Sequence, residues 1–218
     1  MRPEVVVLPL MNGVDIYERI RRVLPTGIVL PACVYVASHL QQKGVVEHKG
    51  DPGRIIVGND PQPPQYNPAW LVELLTEAGI QVAYQADAFP AIWTKFMFIA
   101  SFGLVSAWYN QPIGQVEADP LLHERARSIM QEIAAIAHRK GCGLPANIIE
   151  QTFQQARTFP FPTPTSLQLD VHSGGSRTEL ALFAGAIVAY GHPLGIPTQE
   201  TSRIQEEILG VLAQKSKA

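Results

Sequence analysis

The stretch Ala91-Ile-Trp-Thr-Lys-Phe-Met-Phe-Ile-Ala-Ser-Phe-Gly-Leu-Val-Ser-Ala-Trp-Tyr109 decides how this chain is organised. It is apolar on every side, the pattern of a helix buried all round. Pro90 suits the first helical position, and Asn110 followed by Pro112 suits a stop. The apolar run from Phe96 to Tyr109 falls short of the ~20 residues that a bilayer span needs, which predicts a place in a protein core. Lys95 is the exception, the only charged side chain between Asp87 and Glu117. Helical spacing brings Phe98, Ile99 and Phe102 beside it, so its stem is expected on apolar surface. Two readings of Lys95 are open from spacing alone. A desolvated ammonium releases its proton more readily near neutral pH and can act as a general acid. Alternatively, the side chain snorkels from a helix end into water.

On the N-terminal side of this helix the pattern is α/β. Val5–Leu10 is a continuous apolar run, expected as a strand buried on both faces of a parallel sheet. Asn12-Gly13 marks a turn, and 15–24 reads as a short helix with Asp15 and Glu18 as an acidic capping box. Residues 28–37 read as a strand whose start Pro31 demotes to an edge or bulge. Val45–Lys49 and Arg54–Gly58 read as a hairpin through the turn Gly50-Asp-Pro-Gly53. A proline-rich surface loop over 59–68, a helix over 69–79 and a strand over 80–84 complete this half.

Beyond Ala88 the sequence predicts helices only. Asp119-Pro120 supplies an N-cap and an N1 proline for a helix to Lys140, with Leu122, Ala126, Ile129, Met130, Ile133 and Ala137 on one face. Further helices fit 146–158, 178–190 and 198–214. The expected fold class is therefore α/β then all-α, with one domain over 1–88 and a helical bundle over 89–218.

Composition narrows the function classes. The 218 residues are 46% apolar and 17% charged, with a formal net charge of -2, so charge gives no case for nucleic acid or an anionic membrane as partner. Cys33 and Cys142 match no metal or redox spacing, and a cytoplasmic setting is expected. The six histidines form no HExxH or His/Cys pattern, so no metal is expected. The sequence contains no GxSxG, P-loop or GxGxxG motif.

Three other positions carry candidate chemistry. Asn12 sits beyond the carboxyl end of an apolar strand, where open α/β sheets place ligands, or else simply closes an Asx turn. Thr165 and Ser166 put hydroxyls at a helix start, suited to a carboxylate or to an ordinary cap. Glu179 leads a helix that is apolar from Leu180 to Tyr190, as dipole chemistry or as a ligand for hydroxyls.

Taken in order, these pieces resemble the ketopantoate reductase (2-dehydropantoate 2-reductase) family. The matching residues are Val7-Leu-Pro-Leu-Met-Asn-Gly-Val14, Gly44-Val-Val-Glu-His-Lys49 with Gly53-Arg-Ile-Ile-Val-Gly58, and Trp93-Thr-Lys95. Thr165-Ser-Leu-Gln-Leu-Asp170, Arg177-Thr-Glu-Leu180, Gly185 and Gly195-Ile-Pro-Thr198 continue the match over nearly the whole chain. The resemblance implies a Rossmann-type domain that binds NADPH, followed by a helical domain, and reduction of ketopantoate to pantoate in pantothenate biosynthesis. It implies Lys95 as general acid and Asn12 beside the nicotinamide and the substrate. It implies Ser166 on the substrate carboxylate, and Glu179 as a ligand for hydroxyls of substrate and cofactor.

The sequence departs from that pattern in three ways. The family carries asparagines one and two turns after the lysine, where this chain has Ile99 and Gly103. One extra residue stands between Asp170 and Glu179, within Ser173-Gly-Gly-Ser176. The glycine-rich first part of the nucleotide domain is not in the sequence, so residues 1–88 are expected to be the later half of a Rossmann domain and the chain a truncated form. Related readings keep the fold with a different 2-oxo acid substrate, or make the chain a non-catalytic dimerisation or binding module. A homo-oligomer is expected, with self-association through residues 1–88 either as a two-fold dimer that continues the sheet or as soluble aggregate. The sequence also predicts weak cofactor binding by these 218 residues, because pyrophosphate normally rests on glycine-loop amides and a helix N-terminus. Titration of nicotinamide fluorescence with the purified chain should show no saturation at low-micromolar protein. A low-micromolar dissociation constant would reveal a second mode of cofactor binding.

Overall fold

Pro31 cannot donate to a β-ladder, and the strand read across it is two strands with different partners. In the computed structural model, which describes residues 5–172 and 178–215, β1 (Val6–Val7) pairs in parallel with β2 (Ile28–Val29). Beyond the proline, β3 (Ala32–Gln42) pairs antiparallel with β4 (Val45–Val57). β4 in turn pairs in parallel with β5 (Val82–Tyr84). Leu30 N–H donates to the Val7 carbonyl at 3.0 Å and Gly58 N–H to the Pro31 carbonyl at 2.9 Å. The chain therefore passes from one ladder to the next at Pro31.

The hairpin differs from its sequence reading. Its turn is Lys43-Gly44, with Gly44 at φ 80, and β4 runs through the segment expected to reverse the chain. Between the pairs Tyr35↔Arg54 and Ala37↔Lys49 the register shifts, so Gly50–Gly53 forms a bulge opposite Val36. Gly50 and Gly53 take φ 78 and 81, and a Cβ on Gly53 would stand 2.5 Å from the Tyr35 carbonyl oxygen. The Pro-Gly pair thus bends one strand against its partner.

Val6, Leu8, Ile28 and Val82 pack around buried Leu30, Ala32 and Val57. β1 is half-buried, not enclosed on both faces as its composition suggested, and Leu10 and Met11 just beyond it are exposed. The helix α1 (Ile16–Val23) also differs in its cap: the Asp15 side chain makes no cap hydrogen bond and pairs with Arg19 Nε at 2.6 Å. α1 is held by Arg21, which forms a buried ion pair with Asp60. Asp60 Oδ2 also accepts from Val29 N–H at 2.6 Å, while its Oδ1 accepts from the Tyr17 hydroxyl at 2.8 Å and Gln62 N–H at 3.0 Å. The loop read as surface therefore carries a fully buried carboxylate that joins α1, β2 and the loop itself. A short helix, α2 (Ala69–Glu77), follows the loop and precedes β5.

The chain divides into two compact units, Met1–Ile92 and Trp93–Ala218, and the division falls within α3 (Phe89–Tyr109). α3 has 21 residues, more than the run counted from Phe96, and by length and composition alone it could cross a membrane. Its core role rests on burial: Trp93, Phe96, Met97 and every residue from Ala100 to Ala107 are buried. Asn110 at φ 51 ends it. Among the described residues no strand follows β5. The second unit continues with α4 (Ile113–Ala118), α5 (Pro120–Arg139), α6 (Ile148–Ala156), α7 (Ser166–His172), α8 (Leu180–Leu194) and α9 (Gln199–Lys215). Asp119 caps α5 by accepting from Leu121 and Leu122 N–H at 2.8 and 3.2 Å, and the six expected face residues of α5 are all buried. Glu132 of α5 accepts from Glu200 and Thr201 N–H at 2.8 and 3.1 Å, so it caps α9 from a neighbouring helix. Burial still holds its carboxyl above the usual range.

Removing one partner of a buried pair leaves an uncompensated charge. Asp60→Ala should therefore cost about 3–5 kcal/mol of stability, measured by urea unfolding, with Tyr17→Phe costing about 1 kcal/mol. Equal stability of Asp60→Ala and the parent would show that Arg21 finds water or another partner.

Candidate active site

Between Trp93 and Ala107 only Thr94, Lys95 and Ile99 of α3 are not buried. Much of the packing against α3 is aromatic. Phe98 lies 5.2 Å from Phe102 and stacks on Phe159 at 5.3 Å, centroid to centroid. Phe102 meets Phe153 edge-on at 5.9 Å, and Phe96 meets Phe183 at 6.2 Å. Lys95 itself is half-buried.

Ile99 and Gly103 follow Lys95 at one and two turns, and the structure separates them. Ile99 is half-buried and shares the opening, whereas Gly103 is buried. A Cβ on Gly103 would sit 3.5 Å from Phe183 Cε2 and 3.7 Å from Leu167 Cβ. Position 103 is thus closed off by Phe183 and Leu167, an arrangement no local sequence signal announces.

Thr165 and Ser166 have different tasks. Thr165 Oγ1 accepts from Gln168 N–H at 3.2 Å, and Gln168 Oε1 accepts from Thr165 N–H at 3.4 Å. This reciprocal pair is a capping box, legible in the spacing Thr-x-x-Gln, in which the threonine oxygen serves the α7 start as an acceptor. Gln168 is buried and also donates to Asn110 Oδ1 at 3.1 Å, tying α7 to the end of α3. Ser166 is the first residue of α7 and is exposed. Asp170, one turn on, is half-buried, and desolvation raises its pKa.

Glu179 is the N-cap residue of α8 and is half-buried; its side chain makes no cap hydrogen bond, while its carbonyl accepts from Leu182 and Phe183 N–H at 2.9 and 3.0 Å. Lys95, Ser166 and Glu179 all belong to the unit Trp93–Ala218, and Asn12 belongs to Met1–Ile92. Arg177 and the stretch Ser173–Ser176, with the extra residue placed there, lie outside the described residues.

Asn12 is half-buried in the segment between β1 and α1. Beside it, Gly13 at φ 124 packs on Ile16, and a shallow apolar cleft is lined by Pro9, Gly13, Val14, Ile16 and Pro31 among others. The cleft lies just past the carboxyl ends of the parallel pair, where α/β sheets bind ligands. A nicotinamide dinucleotide would also need an anion cradle, and here the fit fails. The α1 N-terminus carries Asp15 and Glu18, whose carboxylates oppose phosphate, and a side chain already fills the space beside Gly13. The described residues of this unit suit an apolar ring and not a pyrophosphate.

Residues 87–211 match the family described as ketopantoate reductase PanE/ApbA C terminal, and residues 1–62 match ketopantoate reductase PanE/ApbA. A 2-dehydropantoate 2-reductase of Pyrobaculum aerophilum is 27% identical over 187 residues, covering 86% of this chain and 62% of the relative. A ketopantoate reductase structure from Ralstonia eutropha superposes with a TM-score of 0.86 at 26% identity, covering 97% of this chain and 68% of that one. D-Mandelate dehydrogenase, solved with NADH and anilino(oxo)acetate, gives a TM-score of 0.88 at 17% identity over 99% of this chain and 70% of its own, a likeness of fold. The chain spans 56% to 64% of the length of the first curated relatives it matches.

The contacts at position 103 set opposite expectations for two substitutions. Gly103→Ala should stabilise the protein by roughly 0.5–1 kcal/mol, because its methyl meets ordinary van der Waals distances and the helix gains propensity. Gly103→Asn should destabilise by about 1–3 kcal/mol, because the larger side chain collides with Phe183 and Leu167. Thermal unfolding followed by circular dichroism separates the two; an asparagine tolerated without loss would place position 103 in the opening.

Proposed function

The chain belongs to the ketopantoate reductase family, and on that premise we propose that it serves the nicotinamide-dependent reduction of a 2-oxo acid to the 2-hydroxy acid. The relatives are named for 2-dehydropantoate, with pantoate as its product. The observation that carries this reading is Lys95, half-buried on a helix that from Trp93 to Ala107 is otherwise buried except at Thr94 and Ile99. A keto oxygen placed against Lys95 Nζ accepts a hydrogen bond there. Were a bound nicotinamide to supply hydride to the 2-oxo carbon, Lys95 Nζ would give its proton to the alkoxide oxygen, leaving a neutral amine that solvent reprotonates.

The remaining roles follow from chemistry and position. Ser166, exposed at the start of α7, offers a hydroxyl to the substrate carboxylate. Glu179 offers a carboxylate to hydroxyls of substrate or cofactor, and Asn12 offers an amide to the nicotinamide and the substrate. NADPH, when bound, supplies the hydride. Assembly as a homodimer belongs to the same reading.

The test is turnover in a form extended to the full length of the relatives. Lys95→Ala should lower kcat by about 10²–10⁴-fold, the range for loss of a general acid. Ser166→Ala should act mainly on KM, as expected for a group that binds the ground state and transition state alike. If Lys95→Ala kept the parent kcat, the lysine would be a snorkelling residue and the proton donor would lie elsewhere.

A further inference from the structure

We propose that Ile99 makes this site selective for 2-oxo acids with an apolar side chain, against those carrying a hydroxyl near the keto group; the inference rests on Lys95 as the group that meets the keto oxygen. Of the residues of α3 from Trp93 to Ala107, only Thr94, Lys95 and Ile99 are not buried. Ile99 is four residues after Lys95 and lies on the same face, with roughly 5–6 Å between their Cβ atoms. A branched keto acid held by its carbonyl oxygen at Lys95 therefore lays the substituents of its third carbon against the Ile99 side chain.

Apart from Lys95, which the keto oxygen engages, no side chain of α3 beside Ile99 is placed to bond a hydroxyl. Its neighbours on the face are the Phe98 and Phe102 rings, 5.2 Å apart, and Gly103 is covered by Phe183 and Leu167. The α3 carbonyls in this turn are engaged within the helix, and the Met97 carbonyl takes the Ser101 hydroxyl as well, at 2.6 Å. Thr94, the remaining polar member of the opening, lies about 140° round the helix from Ile99. A hydroxyl delivered to Ile99 gives up water without gaining a partner from α3, whereas a methyl or aryl group gains by burial. An apolar pocket discriminates against an added hydroxyl by about 10²-fold at most, so a preference between 10-fold and 10²-fold is expected.

Trimethylpyruvate and 2-dehydropantoate differ by a single hydroxyl and make the matched pair for the test. Their equilibrium binding to the 218-residue chain is compared by calorimetric or NMR titration, on the parent protein and on Ile99→Asn and Lys95→Ala. The expected result is tighter binding of trimethylpyruvate by about 10-fold or more, a ratio that collapses or inverts in Ile99→Asn, and loss of both ligands in Lys95→Ala. Equal or tighter binding of 2-dehydropantoate by the parent would overturn the role of Ile99 while leaving the 2-oxo acid site standing. Binding of neither ligand, or binding indifferent to Lys95→Ala, would overturn the reading of the site and this inference with it.

Discussion

A helix that is apolar on every side must be covered on every side, and the second unit is built to satisfy that demand on α3. From Trp93 to Ala107 the cover is complete except at Thr94, Lys95 and Ile99. Much of it is aromatic, with Phe153, Phe159, Phe183 and Tyr190 meeting rings of α3. A lysine elsewhere on this helix would bury a charge without a partner. At the gap its ammonium can reach a polar group while its stem stays packed. The fold and the proposed chemistry thus share one cause, since the place where burial is interrupted is the place where a proton donor can stand.

Much of this was legible in the chain. The all-round apolar pattern identifies α3, the Asp119-Pro120 pair fixes the start of α5, and the six apolar positions of α5 are buried as their period requires. What was not legible depended on distant partners. Gly50-Asp-Pro-Gly53 has turn chemistry, but β3 continues to pair on both sides of it, and long-range pairing prevailed over local preference. Asp60 sits among prolines and reads as surface, and only Arg21, far away in sequence, shows why it is buried. Val5–Leu10 has the composition of an enclosed strand, while just two of its residues join a ladder.

The candidate site divides along the same line. Lys95, Ser166 and Glu179 occupy positions that local pattern can assign, near the start of a helix in each case. The Thr165–Gln168 capping box was equally readable, from the spacing Thr-x-x-Gln. The unequal status of Ile99 and Gly103 was hidden. Both follow Lys95 along one face, and only the packing of Phe183 and Leu167 shows that one meets solvent and the other does not.

The Arg21–Asp60 pair bears on how the first unit responds to ionic strength. Surface pairs such as Arg127–Glu150 and Arg157–Glu117 face solvent on at least one side and are screened as salt is raised. Asp60 is fully enclosed, and dissolved ions cannot come between it and the guanidinium, so the attraction survives at concentrations that erase the others. The same backbone and hydroxyl donors that surround the carboxylate fix its direction as well as its charge. Brine would strip this protein of its outer electrostatics and leave the junction of α1, β2 and the proline-rich loop intact.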